Sequence, residues 1–231
     1  LIDASSFAAH HNAFWSNFTP TSEYFVRRIN LEHAERWSLP IHKPEDPIRS
    51  ALVAELAFAQ VSAKLDGIPE ERVGEVALEE AKKRLRPLFE DPISLVQEIT
   101  QVEQDQISSL EKNLLSFFTR RNLPTVTRPL FAGCGYVDSS EGDIISGSCL
   151  FEIKAVNRPF RSIDIRQLIT YCALNHLSGQ FQLDAIGVFN PRRGLYFEAS
   201  IEDVSHEISG QSGQELFDTI IHAISSGDIS R

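Results

Sequence analysis

Apolar residues recur at helical spacing through the first half of the chain. After Asp46-Pro47, where Asp suits a helix cap and Pro the first helical position, Leu52, Leu56, Ala59 and Ala63 form a stripe that Gly67 ends. Pro69 opens a second helix whose buried face is Val73, Val76, Ala77, Ala81 and Leu85, and Pro87 stops it. Asp91-Pro92 repeats the start signal. From there Leu95, Ile99, Val102, Gln106, Leu110, Leu114 and Phe117 predict one long helix reaching about Phe118. In residues 1–45, Phe14, Trp15, Phe18, Tyr24 and Phe25 imply packing but show no period.

Beyond Leu123-Pro124 the pattern changes to β-branched residues, glycines and short turns. Strands are expected near 128–137, 141–146, 149–156, 184–190 and 194–199, and helices at about 162–178 and 212–225. A helix lying between strands of one sheet predicts parallel pairing across it. The expected fold class is therefore α/β or α+β. A helical N-terminal region of residues 1–90 precedes a sheet-bearing domain of residues 91–231.

Within the sheet region, Gly147-Ser148 suits a two-residue hairpin turn with Gly first. With that turn, Ser146 faces Cys149, and Asp143 lies opposite Glu152 on one face of the hairpin. Lys154, two residues beyond Glu152, points to the same side. Glu152 also stands among Leu150, Phe151, Ile153, Ala155 and Val156, the composition of an interior strand, where a charge is costly unless paired. One reading is a structural Glu152–Lys154 salt bridge. The other is a divalent-metal site, because two adjacent carboxylates repel unless a cation lies between them. Asp143, Glu152 and the carbonyl of Ile153 would hold Mg²⁺ or Mn²⁺ in an arrangement suited to phosphodiester hydrolysis, with Lys154 orienting the attacking water or stabilising the transition state. Glu80-Ala-Lys82 repeats the E-x-K spacing on the polar side of a helix and reads as a solvated charge pair.

Charge refines this picture. The 231 residues carry 22 Lys and Arg against 32 Asp and Glu, a net charge of -10, which argues against gripping nucleic acid by bulk charge but not against a local phosphate site. Between 154 and 193, Lys154, Arg158, Arg161, Arg166, Arg192 and Arg193 outnumber Asp164 and Asp184. Arg158 and Arg161 fall in a loop, and Asn190-Pro-Arg192-Arg193-Gly194 reads as a hairpin tip. These arginines are candidate phosphate contacts, with ordinary solubilising charge as the alternative.

Three cysteines (Cys134, Cys149, Cys172) without C-x-x-C spacing support neither a disulfide framework nor zinc, so a reducing cytoplasm is expected, with Cys134 and Cys172 in the core. No apolar run is long enough to span a membrane, and the N-terminus lacks the features of a secretory signal. The absence of any Met suggests that the sequence belongs to a longer chain. No G-x-S-x-G or Walker loop occurs.

The stretch Gly142-Asp143-Ile-Ile…Leu150-Phe-Glu152-Ile-Lys154, with Arg166-Gln167-Leu-Ile-Thr-Tyr171 after it, resembles the PD-(D/E)XK nuclease superfamily, in particular its RecB-type branch with a Q-x-x-x-Y element. Gly142 stands where the family name has Pro. The resemblance covers about residues 95–200 and implies a restriction-endonuclease-like αβββαβ core, making residues 91–231 the nuclease domain. It further implies a metal-dependent nuclease acting on DNA, with Asp143 and Glu152 as ligands, Lys154 as the catalytic lysine, and Gln167 and Tyr171 bordering the site. A further acidic ligand on the preceding helix would be Glu111 or Glu103, both also readable as surface residues. Asp138 and Glu141 lie near enough in sequence to approach the metal. A bacterial or phage setting in genome defence or DNA processing, with a partner subunit or a homodimer, is implied as well. The alternatives are an inactive binding module on the same fold and an RNA-cleaving toxin.

Overall fold

The structure, a computed structural model, describes residues 1–42, 47–88 and 97–227. Asp46, Asp91, Pro92 and Leu95, part of the expected helix starts, lie outside them. Three short helices open the chain: α1 (Ala4–His10), α2 (Asn12–Phe18) and α3 (Ser22–Arg28), the last continuing as a π-helical turn over Ile29–His33. A two-residue strand, β1 (Glu35–Arg36), follows. Then come α4 (Pro47–Leu65) and α5 (Glu70–Leu85), close to the two helices that the apolar stripes predict.

The long helix α6 spans Gln101–Arg121, shorter than expected. Residues 98–100 are not helical, because Thr100 and Glu103 form a capping box that fixes the start there. The expected strand 128–137 is also different. A short strand β2 (Thr125–Thr127) is followed by Arg128 in the left-handed region, and β3 (Leu130–Phe131) pairs instead with β4 (Ser140–Glu141). Strands β5 (Ile144–Ser146) and β6 (Cys149–Ile153), helix α7 (Ser162–Ser178), and strands β7 (Ala185–Asn190) and β8 (Leu195–Ser200) come close to their expected positions. Helix α8 (Ile201–Ser209) was not expected, and α9 (Gly213–Ser226) ends the described chain.

The main sheet has the order β1-β8-β7-β6-β5-β2. Strands β2, β5 and β6 form an antiparallel set, α7 carries the chain over one face, and β7 returns parallel to β6, as the crossover predicts. Strands β8 and β1 add antiparallel neighbours. The class is thus mixed α and β, with a mostly antiparallel sheet.

Both faces of β6 are covered, so alternate residues enter different cores. Cys149 and Phe151 pack with Leu114, Phe117 and Phe118 of α6, while Leu150 packs with Ile165, Leu168 and Ile169 of α7. The second core also takes Phe7, Phe14 and Trp15 from α1 and α2, so the first helices share a core with the sheet. Helices α4, α5 and α6 share a third cluster built on Leu52, Leu56, Ala81 and Leu110. Among the described residues no helix is long and apolar enough to cross a membrane.

Gly187 of β7 leaves the space that the Phe151 ring fills: a Cβ there would meet Cε1 and Cδ1 of that ring well inside contact distance. Phe151 in turn packs edge-on against Phe117 and Phe118. Gly187→Ala is therefore expected to destabilise the protein by about 1–3 kcal/mol through overpacking, measurable as a lower urea midpoint.

Candidate active site

The hairpin turn at Gly147-Ser148 has Gly147 at φ 63°, a conformation that suits glycine. It sets Ser146 against Cys149, Ile145 against Leu150 and Ile144 against Phe151. One further step in this register places Asp143 opposite Glu152. Lys154 lies just past β6, but its N–H still reaches the Phe189 carbonyl at 2.8 Å, which continues the ladder.

At this end of the hairpin the side chains converge. Asp143 Oδ2 accepts the Ile153 N–H at 2.6 Å. The Lys154 ammonium donates to Glu152 Oε1 at 2.6 Å and to Gln167 Oε1 at 3.1 Å. Gln167 Nε2 donates to the Tyr171 hydroxyl at 3.0 Å, and that hydroxyl donates to the Glu141 carbonyl at 2.8 Å. The i, i+4 spacing of Gln167 and Tyr171 on α7 makes this relay possible. Stacking of Tyr171 on Phe131, with ring centroids 5.1 Å apart, fixes its far end.

Glu152 is 4% exposed, and its Oε2 is buried without a hydrogen-bond partner. Burial, and then the charge of Asp143, push its carboxyl up to about 8 despite the Lys154 ammonium. Burial also raises the Asp143 carboxyl against the opposing pull of Lys154 and the Ile153 amide, and Glu55 raises it further. Burial works against the Lys154 ammonium, but Glu152, Asp164 and Asp143 outweigh it and hold its pKa above the ordinary value. Lys154 therefore keeps its proton at neutral pH. Lys154 does contact Glu152 as the salt-bridge reading expects, yet it satisfies only one oxygen, and ionising both carboxyls together still costs the repulsion that holds the Glu152 value up.

Sequence reasoning missed part of this neighbourhood. Glu55 of α4 lies close enough to Asp143 to raise its pKa, and Arg128 close enough to oppose that effect. The signal for Glu55 was present: it falls three residues after Leu52 and four before Ala59, on the apolar stripe. No periodic pattern marks Arg128. Its backbone N–H bonds the Asp143 carbonyl at 2.8 Å, so main-chain geometry sets its place.

Other candidates are employed elsewhere. Glu103 is buried, bonded by Arg49 Nε at 2.6 Å and capped by Thr100, which holds its carboxyl at about 2. Glu111 pairs with Lys64 at 2.6 Å. Neither is the free surface residue or unclaimed ligand that was expected. Asp138 caps the Ser139 N–H at 2.8 Å. Glu80 pairs with Arg84 and Arg128 instead of standing solvated beside Lys82.

The candidate phosphate contacts divide sharply. Arg192 is 1% exposed and lies in the interior, its guanidinium reaching the carbonyls of His42 and Ala155 and the Gln106 amide, so it is no surface clamp. Arg166 is 8% exposed, bonds Asn12 Oδ1 and lies 3.7 Å from Glu23. Arg158 is clamped by both oxygens of Asp164 at 2.8 Å. Arg161 is exposed and Arg193 half-buried. Cys172 is buried as expected, whereas Cys134 is only half-buried.

Among the described residues no group of three or more His, Cys, Asp or Glu side chains is poised to hold a metal ion. A divalent cation would instead rely on Asp143, Glu152 and main-chain oxygen. The unpartnered Oε2 of Glu152, beside a second buried carboxylate, fits such a cation. No protein-family model matches this chain, and no curated protein matches it in sequence.

The raised carboxyl of Glu152 has a thermodynamic sign. Its folded value of about 8 lies above the ordinary 4.5, so the native state binds a proton that the unfolded state releases. In chelator, the contribution of Glu152 to wild-type stability is expected to be full below about pH 4.5 and to be lost as pH rises towards about 8, by at most about 1.4 kcal/mol per pH unit. Glu152→Gln should flatten that slope. Urea unfolding of both proteins across this range checks it, and identical slopes would show that Glu152 is ionised throughout.

Proposed function

We propose that this chain is a divalent-metal-dependent nuclease that hydrolyses phosphodiester bonds of DNA. The observation that carries the reading is the buried pair Asp143 and Glu152, brought together by the β5–β6 register, with Lys154 on one oxygen of Glu152 and nothing on the other. The order helix α6, antiparallel β2, β5 and β6, crossover helix α7 and parallel β7 is what a restriction-endonuclease-like αβββαβ core requires, and it supports the same reading. Genome defence or DNA processing in a bacterium or phage is the setting that the family resemblance suggests.

Asp143, Glu152 and the Ile153 carbonyl would hold Mg²⁺ or Mn²⁺. When bound, the ion lowers the pKa of water and stabilises charge on a phosphate. Lys154, kept protonated by three carboxylates, acts as a fixed cation and hydrogen-bond donor beside the scissile group, and is unsuited to be a general base. Gln167 positions it: with Nε2 committed to Tyr171, the amide presents Oε1 to the ammonium. Tyr171, whose own proton is held more tightly by burial, transmits the position of the Glu141 main chain to that amide.

The competing reading is the same fold kept as a non-catalytic binding surface, and the burial of Glu152 is the observation in its favour. Plasmid or oligonucleotide cleavage with Mg²⁺ or Mn²⁺ separates the two. Asp143→Ala and Lys154→Ala are each expected to lower the rate by roughly 100-fold or more. Gln167→Ala should cost less, since it acts through the lysine. Cleavage indifferent to both alanine substitutions would end the nuclease reading, and preference for RNA over DNA would redirect it.

A further inference from the structure

Beside Asp143 lies a network of two arginines and three glutamates contributed by separate elements. Arg84 of α5 takes both oxygens of Glu141, with Nη1–Oε1 at 2.8 Å and Nη2–Oε2 at 3.1 Å. Arg128 brings Nη1 to 3.5 Å from the same Oε1. Behind this point, Arg128 bonds Glu55 at 2.8 Å, and Arg84 bonds Glu80 at 3.1 Å. Two guanidiniums thus converge on a single carboxylate, which is also how paired arginines hold the oxygens of a phosphate.

Three features set this apart from an ordinary surface ion pair, which contributes little. Arg128 has φ 50°, a left-handed conformation that is strained in a residue with a Cβ. Its Nε is buried and lies 3.0 Å from Glu80 but makes no hydrogen bond, so the guanidinium is not fully satisfied by its carboxylates. Its placement is nonetheless rigid: the N–H bonds the Asp143 carbonyl, and the guanidinium carbon sits 4.7 Å from the Phe58 ring centroid. Glu141, by contrast, has a side chain 34% exposed and can swing into water.

We propose that Arg84 and Arg128 form a binding site for a backbone phosphate of nucleic acid next to the Asp143–Glu152 pair, and that the Glu141 carboxylate holds this site as a stand-in anion until the phosphate displaces it. The proposal rests on the nuclease reading for its class of ligand. It adds a pair of guanidiniums to Lys154 as phosphate contacts at the reacting end of the sheet, where Arg166 and Arg192 are buried. Glu55 and Glu80 stay behind the arginines during the exchange. They keep the guanidiniums aimed, and Glu141 alone changes partner.

The test is binding of a short fluorescently labelled DNA duplex, read by anisotropy in EDTA so that no cleavage occurs. Arg84→Gln and Arg128→Gln are each expected to weaken binding about three- to tenfold and to lower the salt dependence by about one phosphate contact. Glu141→Gln removes the competing charge and should tighten binding by a similar factor, a gain that misfolding cannot produce. Unchanged or weaker binding by Glu141→Gln, or affinity indifferent to both arginine substitutions, overturns the proposal, as does a wild-type protein that does not bind. The two readings fail separately. A protein that shows these responses but never cuts DNA keeps the phosphate site and loses the nuclease, whereas Asp143-dependent cleavage with none of these responses does the reverse.

Discussion

The mutual repulsion of Asp143 and Glu152, held side by side in a hairpin with apolar residues on both faces, governs the design around it. Taking two like charges out of water together is tolerable only if the surroundings supply positive charge or a proton. The chain supplies Lys154 to one oxygen and the Ile153 amide to another. That leaves a deficit, because burial and the neighbouring Asp143 push the Glu152 carboxyl well above the ordinary carboxylate range. Specific contacts hold the carboxylates in place. The turn at Gly147, the stacked Tyr171 and the Gln167 relay each remove a freedom that the carboxylates would otherwise use to move apart.

Arginine is used in two ways within this one chain. Arg192 is sunk into the interior as a strut joining the β7–β8 turn to α6 and to the segment after Lys154, and Arg158 is locked onto Asp164 at the start of α7. These residues fix the loops around the site. Arg84, about a third exposed, and the more deeply set Arg128 instead lie beside Asp143, surrounded by more carboxylate than they can neutralise. The net charge of -10 is therefore a poor guide to where an anion could bind, because the partners of each individual cation decide that.

Much of this was legible in the sequence where a local rule operates. The hairpin register follows from Gly147-Ser148 alone, and helices α4 and α5 follow from apolar stripes bounded by Pro and Gly. Local rules were silent where tertiary contacts decide. The basic segment 154–193 looked uniform, yet neighbours from α2, α6 and the His42 segment draw Arg166 and Arg192 inside. Glu103 read as a surface residue because its partner Arg49 lies more than fifty positions away. The start of α6 was missed by a run of apolar residues that suggested continuity, while Thr100 and Glu103 formed a stronger boundary. The network at Arg84 and Arg128 joins three distant stretches of chain, and no spacing rule reaches that far.

The first strand and helices impose an order on how the molecule is made. Phe7, Phe14 and Trp15 find their partners in α7 and α9, and Glu35–Arg36 pairs with β8. During synthesis these aromatic residues emerge well before the surfaces that cover them exist. At about 5–20 residues per second the wait is on the order of ten seconds or longer. The growing chain must therefore carry this aromatic segment without a home, and β1 can join the sheet only after β8 has been made.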